Sequence, residues 1–192
     1  MTRYDAATPP GFCFSAVHDM AVSIRDARRS AGDRQWIERA YREYLGDLTA
    51  GGTGVFPALD VTGQQPSDLL DAWFRDEKSI PFVVLRDGVP AGFALVQCTS
   101  ASWQGPQPSF RLREFFVGEA FRRRGLGREA ALLLFSRFEG RWLVTESTRD
   151  RAAVAFWRSV IGTYTRGRYR ERIAAGEVEH TFSSSRPVAG RA

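Results

Sequence analysis

Apolar residues recur at helical spacing across residues 36–48, and this period predicts a first helix that begins with Asp33 as its N-cap. Residues 69–74 share one apolar face, which predicts a second helix capped by Ser67. The intervening residues 49–65 contain four glycines and are expected to form a loop.

Shorter apolar runs bounded by turn residues predict strands. Residues 81–86 and 89–98 flank Asp87-Gly88, a dipeptide typical of tight β-hairpins. Further strands are predicted at residues 22–25, 110–117, 142–146, 163–170 and 177–183, and further helices at residues 125–138 and 151–161. This alternation of strands and helices predicts a single α/β domain, with a mixed sheet flanked by helices on both faces.

The length and composition fit one compact domain. The chain has 192 residues, of which 43% are hydrophobic, and this is enough for one core. Residues 1–19 include two prolines and show no sustained period, so we expect a flexible arm there. The folded domain is expected at residues 20–183, followed by a disordered tail at residues 184–192.

Two absences in the sequence favour a soluble cytoplasmic protein. No stretch approaches the roughly 18 uninterrupted apolar residues of a membrane span, and the first residues do not have the pattern of a secretion signal. Cys13 and Cys98 lack the spacing of metal ligands, so we expect isolated thiols and no metal site.

The chain is basic, with a net charge of +5 and a pI near 9.7. Lys78 is its only lysine, so 26 of the 27 basic residues are arginine, which suggests a compositional bias more than a specific partner. The arginines of residues 166–172, together with Tyr164 and Tyr169, leave RNA binding open as an alternative. A charged strand edge is the favoured interpretation of this segment.

Residues 114–130 have the build of a phosphate-binding segment, because an apolar strand leads through an arginine-rich loop into a helix. Gly125 and Gly127 leave the backbone open, and the first N–H groups of a helix attract anions. Guanidinium groups favour the same anion, and four of them belong to Arg122, Arg123, Arg124 and Arg128. The segment therefore predicts a pyrophosphate site.

Two common phosphate-binding motifs fit this segment poorly. A P-loop requires a lysine after its last glycine, and Lys78 lies elsewhere. Gly125, Gly127 and Ala130 match the spacing of a dinucleotide fingerprint, and Glu146 lies near the place of its ribose-binding acid. However, residues 118–124 separate the strand from the first glycine, and too little chain follows to complete a doubly wound sheet.

A third motif fits better. Residues 122–127 match Arg/Gln-x-x-Gly-x-Gly/Ala, and with the strand at 142–146 and the helix after Asp150 the chain resembles the GNAT superfamily of acyl-CoA N-acyltransferases. Residues 155–169 further resemble a subgroup of predicted acetyltransferases, and the resemblance extends over about residues 22–181. It implies a single-domain GNAT-like fold that uses acetyl-CoA as cosubstrate.

The resemblance also implies the cofactor-binding residues. The pyrophosphate of coenzyme A is expected on residues 122–128, including Leu126, and the pantetheine and thioester on the backbone of Phe116 and Val117. The helix beside the pantetheine arm supplies the remaining expected contacts, which are Asp150, Ala153, Phe156 and Trp157.

In the resembled family an amine attacks the thioester directly, which requires an amine proton to be removed. Glu114 is our candidate base, because burial on an apolar strand would raise the pKa of its carboxyl group. The alternatives are an ion pair with Arg111 or Arg113, an exposed side chain, a base that acts through water, and a reaction without a dedicated base. The family often places an acidic tyrosine seven residues after an asparagine, but this chain has Asp150 and Trp157 there.

Because an indole is a very poor acid, either another group protonates the leaving thiolate or no acid is needed. The available tyrosines are Tyr164 and Tyr169, of which Tyr164 is our candidate acid. We therefore expect an acetyl-CoA-dependent N-acetyltransferase that acts on a primary amine of a small molecule or a peptide. A non-catalytic coenzyme A sensor is the alternative, and a homodimer is left open. Acidic residues near the second helix, including Asp60, Asp71 and Asp76, either attract a cationic acceptor or form a solvated helix face.

Overall fold

The structure, a computed structural model, describes residues 21–50, 66–100 and 107–185. The predicted arm at 1–19, most of the predicted loop at 49–65 and residues 186–192 of the predicted tail lie outside the described residues.

Seven strands of the described ranges form one mixed sheet. They are β1 Val22–Asp26, β2 Ser79–Arg86, β3 Val89–Cys98, β4 Ser109–Val117, β5 Gly140–Ser147, β6 Tyr169–Ala174 and β7 Glu177–Ser184. Their order in the sheet is β1-β2-β3-β4-β5-β7-β6. β4 and β5 run parallel, whereas all other neighbours are antiparallel.

Helices cover both faces of this sheet, as the sequence predicts. They are α1 Ala31–Ala50, α2 Pro66–Arg75, α3 Leu126–Arg137 and α4 Arg151–Thr165. On one side, which we call the α1 face, Tyr41 and Leu70 pack against Phe93 of β3. On the other side, which we call the α4 face, Phe135 of α3 packs against Trp142 of β5. The site described below lies where β4 and β5 meet between these two layers.

The predicted strand at 163–170 is wrong at its start, because α4 continues through Thr165 and β6 begins at Tyr169. Tyr164 and Thr165 are typical strand residues, but they extend the apolar helical stripe of Ile161 and pack in the core. The helix ends at Arg166, where the backbone turns left-handed with a φ of 54°.

Both predicted helix caps are also displaced. α1 begins at Ala31, and the carboxylate of Asp33 binds the Arg25 guanidinium of β1 at 2.7 Å. Ser30 precedes the first residue of α1, and its hydroxyl accepts a hydrogen bond from the Asp33 N–H at 3.4 Å. Ser67 lies inside α2, which begins one residue earlier.

Gly92 allows β3 to approach β4 closely. A Cβ at this position would lie 2.4 Å from the carbonyl oxygen of Phe116. We expect Gly92→Ala to lower the free energy of unfolding by about 2 kcal/mol, because the two strands must separate to admit the methyl group. Urea denaturation measures this change.

Gly46→Ala is the matched control, because a Cβ on Gly46 of α1 would meet no atom within 4 Å. Alanine is the better helix former, so this variant is expected to be at least as stable as the natural protein. A Gly92→Ala protein of unchanged stability would contradict the close approach of the strands.

Candidate active site

β4 and β5 diverge toward their carboxyl ends. Their last residue pair is Leu112 with Val144. β5 nevertheless remains paired with β7 through Ser147, and β4 remains paired with β3 through Val117. The backbone groups of residues 113–117 that point toward β5 therefore have no ladder partner in the described part of the chain. We call this opening the splay gap.

A bulge in β4 decides which side chains border the gap. Glu114 pairs with Leu95 and Leu112 pairs with Val96, so Arg113 is an extra residue in β4. One extra residue inverts the alternation of side chains along a strand. As a result Glu114 lies on the α1 face, although Leu112 packs on the α4 face.

Glu114 is buried, with only 8% of its surface exposed, and it accepts a hydrogen bond from the Tyr44 hydroxyl of α1. Burial raises the pKa of Glu114 to about 7, while the Tyr44 hydrogen bond and the charge of Arg113 act in the opposite direction. The Tyr44 ring is held edge-on against Phe93 and Phe116, with centroid distances of 5.6 and 5.8 Å. A substantial fraction of Glu114 is therefore ionised and able to accept a proton near neutral pH.

The structure thus places Glu114 in a buried position and not on the surface. Arg111, one of the two arginines considered as an ion-pair partner of Glu114, donates to the hydroxyl of Thr145 on β5, at 3.3 Å. Tyr44 is the partner that the sequence analysis missed, because it lies 70 residues from Glu114 in the chain. Its sequence signal is only that of an apolar residue on the inner face of α1.

The loop after β4 leads into α3 through left-handed backbone. Arg123 has a φ of 60°, and Gly125, the N-cap residue of α3, has a φ of 82°. Gly125 has no side chain that could bond to the helix, so no side chain caps the first N–H groups of α3. Leu126 is fully buried, and only its backbone can face a ligand. This is the local geometry that the sequence predicts for an anion site.

The start of α3 lies beside both β4 and α4. A Cβ on Gly127 would lie 3.5 Å from the Phe156 ring of α4 and 3.5 Å from the Val117 side chain at the end of β4. The N-terminus of α3 therefore adjoins the end of β4, where the splay gap opens.

The four arginines of the segment divide into two groups. Arg122 donates to the carbonyl oxygen of Val117 at 2.8 Å and forms an ion pair with Asp47 of α1, so its guanidinium fastens the loop to the domain. Arg123, Arg124 and Arg128 are exposed, and they form no hydrogen bond or ion pair with any described residue. These three side chains are the ones available to an anion.

The beginning of α4 borders the same region. Asp150 caps this helix, and its carboxylate accepts from the Ala153 N–H at 2.8 Å. Phe156 stacks on Phe115 of β4 at 6.1 Å, and Trp157 meets the same ring edge-on at 5.1 Å. Trp157 is 6% exposed, so it is a core side chain that supports the gap.

The structure does not bring Tyr164 to the gap. It lies on the last turn of α4, where its ring packs on Phe135 at 5.5 Å and on Phe182 at 6.1 Å. Burial raises its pKa, although the hydrogen bond with Ser136 acts in the opposite direction. Its ring therefore belongs to the aromatic core between α3 and β7.

A second buried carboxyl group lies near the gap on the α4 face. Glu146 of β5 is 8% exposed, and its Oε1 lies 3.2 Å from Nε2 of His180, which is fully buried. Burial is the main cause that raises the pKa of Glu146 to about 8, and burial also lowers the pKa of His180. Oε2 of Glu171 lies 3.7 Å from the same imidazole nitrogen, and Arg158 of α4 binds Glu171.

Two acidic residues in and just after α2 are engaged in structural contacts. Asp71 pairs with Arg34 of α1, and Asp76 accepts hydrogen bonds from the Ser79 hydroxyl at 2.7 Å and the Lys78 N–H at 2.9 Å. These contacts favour the interpretation of a solvated, ion-paired helix face. Asp60 lies outside the described residues.

The arginine strip at 166–172 is partly neutralised, because Arg172 binds Glu179 at 2.6 Å. Beside it lies an open groove of about 1410 Å³, whose lining includes Arg141, Tyr169 and Ser109. Ser109 and Arg141 belong to the amino-terminal ends of β4 and β5, so this groove lies at the opposite end of the strands from the splay gap.

Neither a metal centre nor a membrane helix is present within residues 21–50, 66–100 and 107–185. In these ranges no three or more histidine, cysteine, aspartate or glutamate side chains are arranged to bind a metal ion. No helix in the same ranges combines the length and the apolar character of a membrane span.

The model of the acetyltransferase (GNAT) family matches residues 35–162, which is more than half of the chain. No curated protein sequence matches this chain. Among solved structures, an acetyltransferase from Thermus thermophilus is similar with a TM-score of 0.59 and 14% identity, over 85% of this chain and 97% of that one.

Two other solved structures are similar at comparable levels. The ribosomal-protein-S18-alanine N-acetyltransferase from Escherichia coli has a TM-score of 0.54 and 14% identity, over 90% of this chain and 99% of that one. The spermidine N-acetyltransferase from Vibrio cholerae, in complex with CoA and spermine, has a TM-score of 0.53 and 10% identity, over 85% and 95%. At these identities the likeness concerns the fold.

Proposed function

Since this chain belongs to the GNAT family of acetyltransferases, we propose that it transfers the acetyl group of acetyl-CoA to a primary amine of a small molecule or a peptide. The observation that carries the proposal is the splay gap, which joins an uncapped helix N-terminus to a buried carboxyl group with a pKa of about 7. The family uses acetyl-CoA, which favours a cytoplasmic location.

In this proposal the start of α3 binds the diphosphate of coenzyme A. The free N–H groups after Gly125 donate to phosphate oxygens, and Arg123, Arg124 and Arg128 add charge-assisted contacts. The pantetheine arm then follows the end of β4 into the gap, where the backbone groups of β4 that lack a ladder partner bind it; the Val117 carbonyl is not among them, because it accepts from Arg122. One of the unpaired N–H groups stabilises the negative charge that develops on the thioester oxygen.

Glu114 acts as the general base. An amine attacks only when its nitrogen carries a lone pair, so the proton must leave before or during the attack. A carboxylate with a pKa of about 7 can accept this proton at neutral pH and release it to solvent afterwards. Tyr44 holds the carboxylate in place on the α1 face, which is the side from which the acceptor approaches.

Thiol release tests this function. The purified protein is incubated with acetyl-CoA and a panel of polyamines, amino sugars, amino acids and peptides, and free thiol and acetylated product are measured. Release of thiol together with an acetylated amine supports the proposal. Tight binding of coenzyme A without product over the whole panel would support the sensor alternative.

We expect Tyr44→Phe to move the acidic limb of the pH–rate profile to higher pH by about one unit. The Tyr44 hydrogen bond favours the ionised form of Glu114, so its removal raises the pKa of the base. At pH 6 the rate of Tyr44→Phe is expected to be about tenfold below that of the natural protein, and above pH 8 the two rates should approach each other. The pH dependence of kcat/KM for acetyl-CoA, at saturating acceptor, measures this shift.

Tyr41→Phe is the matched control, one helical turn earlier on α1. The Tyr41 hydroxyl is buried and has no hydrogen-bond partner among the described residues. Its removal is expected to leave the pH profile unchanged. Equal profiles for Tyr44→Phe and the natural protein would show that Glu114 does not set the acidic limb.

A further inference from the structure

Arg111 places a guanidinium group at the closed end of the splay gap. Its side chain donates to the Thr145 hydroxyl at 3.3 Å, and Thr145 is the first residue of β5 after the last pair with β4. Thr145 lies on the α1 face, because its neighbour Val144 packs on the α4 face and side chains alternate along a strand. The Arg111 guanidinium therefore lies at the end of the gap on the same face as the Glu114 carboxylate.

Most donors of this guanidinium have no partner in the part of the chain that the structure describes. A guanidinium carries five N–H donors, whereas the Arg111 side chain makes one hydrogen bond and no ion pair with a described residue. Glu179, the ladder partner of Thr145 on β7, is bound by Arg172 instead. Arg111 thus retains donors in the planar arrangement that suits a carboxylate.

Arg113 adds a second guanidinium group near Glu114. It is the extra residue of the β4 bulge and the first residue of β4 beyond the last pair with β5. Leu112 and Phe115 pack on the α4 face, whereas Arg113 is exposed, so its side chain leaves the sheet on the α1 face. It forms no hydrogen bond or ion pair with a described residue, and its charge is close enough to lower the pKa of Glu114.

This side of the gap is open to solvent along β5. Burial alternates along Gly140–Ser147, with buried side chains on the α4 face and partly or fully exposed side chains on the α1 face. α1 lies over β3 and β4, where its Tyr44 ring meets Phe93 and Phe116. A small molecule can therefore reach Glu114 and Arg111 from the α1 face, beside α1.

We propose that the acceptor is an amine that also carries a carboxylate, as an amino acid does, and that Arg111 binds this carboxylate. The inference rests on the proposed acetyl transfer, in which the amine lies beside Glu114. Arg111 and Glu114 are three positions apart in β4, a span of at most about 10 Å, which short amino acids can match. A diamine or polyamine would instead bring a second cation against Arg111 and Arg113, and this repulsion disfavours it.

Matched acceptors test the inference. The standard amino acids, β-alanine and 4-aminobutyrate are each compared with the corresponding carboxamide at pH 8, where Glu114, with a pKa of about 7, is mostly ionised. The natural protein is expected to favour the carboxylate of its best pair by about tenfold to a hundredfold in kcat/KM, the usual effect of a charge-assisted contact.

Arg111→Gln is expected to raise KM for this carboxylate by about tenfold to a hundredfold and to leave kcat within about threefold. KM for the carboxamide should not change, because the carboxamide has no charge for Arg111 to bind. Arg113→Gln removes the more exposed cation and is expected to raise KM for the carboxylate by about twofold to fivefold. Each acceptor's own titration is common to all variants, so it cancels in the comparison.

Two further variants separate carboxylate binding from a structural role. Arg111→Lys keeps the charge but not the planar fork, and is expected to keep part of the preference that Arg111→Gln loses. Arg141→Gln is the matched control, because it removes an exposed arginine from the α1 face of β5, four residues before Thr145. It should leave both KM values unchanged within about twofold. Melting temperatures and affinities for coenzyme A show whether folding and cofactor binding are intact.

Each outcome decides the inference. A natural protein that acetylates carboxamides, diamines or polyamines as efficiently as carboxylates overturns it and leaves the proposed function standing. An Arg111→Gln protein whose KM rises equally for both members of a pair does the same. Glu177 lies opposite Ser147 on β7, and a Glu177→Gln protein that lost only polyamine acetylation would assign the site to a cationic acceptor. A natural protein that releases no thiol with any acceptor overturns both the inference and the proposed function.

Discussion

Replacing Glu114 with glutamine is expected to lower kcat by about a hundredfold to ten-thousandfold at pH 7.5, the usual effect of removing a general base. Glutamine keeps the size of the side chain and can still accept the Tyr44 hydrogen bond, so the packing of α1 on β4 should survive. It cannot accept a proton. The affinity for coenzyme A, measured by calorimetry, should stay unchanged because Glu114 lies on the α1 face of β4, where its carboxylate contacts Tyr44.

The stability of this variant gives an independent check. A carboxyl group whose pKa is raised on folding binds more protons in the folded state, so its stabilising effect is present at low pH and is lost as the pH rises. For Glu114 this loss occurs between about pH 4.5 and 7. Glutamine does not ionise, and Glu114→Gln should therefore be at least as stable as the natural protein at pH 7.5.

Glu43→Gln is the matched control for activity. Glu43 precedes Tyr44 on α1 but is exposed, and its nearest described donor is the Glu119 N–H at 3.4 Å. Its substitution should leave kcat unchanged within a factor of about two, as surface changes usually do. If Glu114→Gln kept the natural rate at pH 7.5, the amine would have to lose its proton directly to solvent.

The sequence was sufficient to predict the fold where local pattern and tertiary packing agree. The hairpin across Asp87-Gly88 and the helix that begins after Gly125 follow from turn chemistry and apolar period. The end of α4 was not predictable in this way. Thr163, Tyr164 and Thr165 favour a strand by composition, and only the core beneath α4 decides for the helix.

The site was predictable only in part, because some of its features also depend on tertiary packing and not on local pattern. Residues 122–128 carry a linear motif, and the position of Glu114 on a strand follows from the apolar run around it. The bulge at Arg113 depends on the register against β3, which no local pattern specifies. The contacts of Glu114 with Tyr44 and of Glu146 with His180 join residues far apart in the chain, so they need the three-dimensional structure.

Reversing two charges at the start of α3 is expected to weaken coenzyme A binding by about a hundredfold. In the double variant Arg123→Glu and Arg124→Glu, two charge-assisted contacts are lost and two like charges face the diphosphate. Both side chains are exposed and make no hydrogen bond or ion pair with described residues, so the fold should tolerate the change. Calorimetric titration with coenzyme A measures the loss.

The double variant Arg137→Glu and Arg170→Glu is the matched control, because it changes the net charge equally at exposed sites away from the start of α3. It is expected to bind coenzyme A within about threefold of the natural protein, since charges beyond a Debye length of about 8 Å are screened. A larger loss would indicate that overall charge, and not the segment at 122–128, attracts the cofactor.

A pantetheine derivative shows which part of coenzyme A the two arginines bind. Acetyl-pantetheine lacks the diphosphate, so the natural protein and the Arg123→Glu, Arg124→Glu variant should bind it with equal, weak affinity. A variant that lost both ligands equally would have a damaged gap between β4 and β5. A variant that bound coenzyme A as tightly as the natural protein would contradict the diphosphate site at the start of α3. Selective loss of coenzyme A is the expected result, because only that ligand places two phosphates on the helix N-terminus.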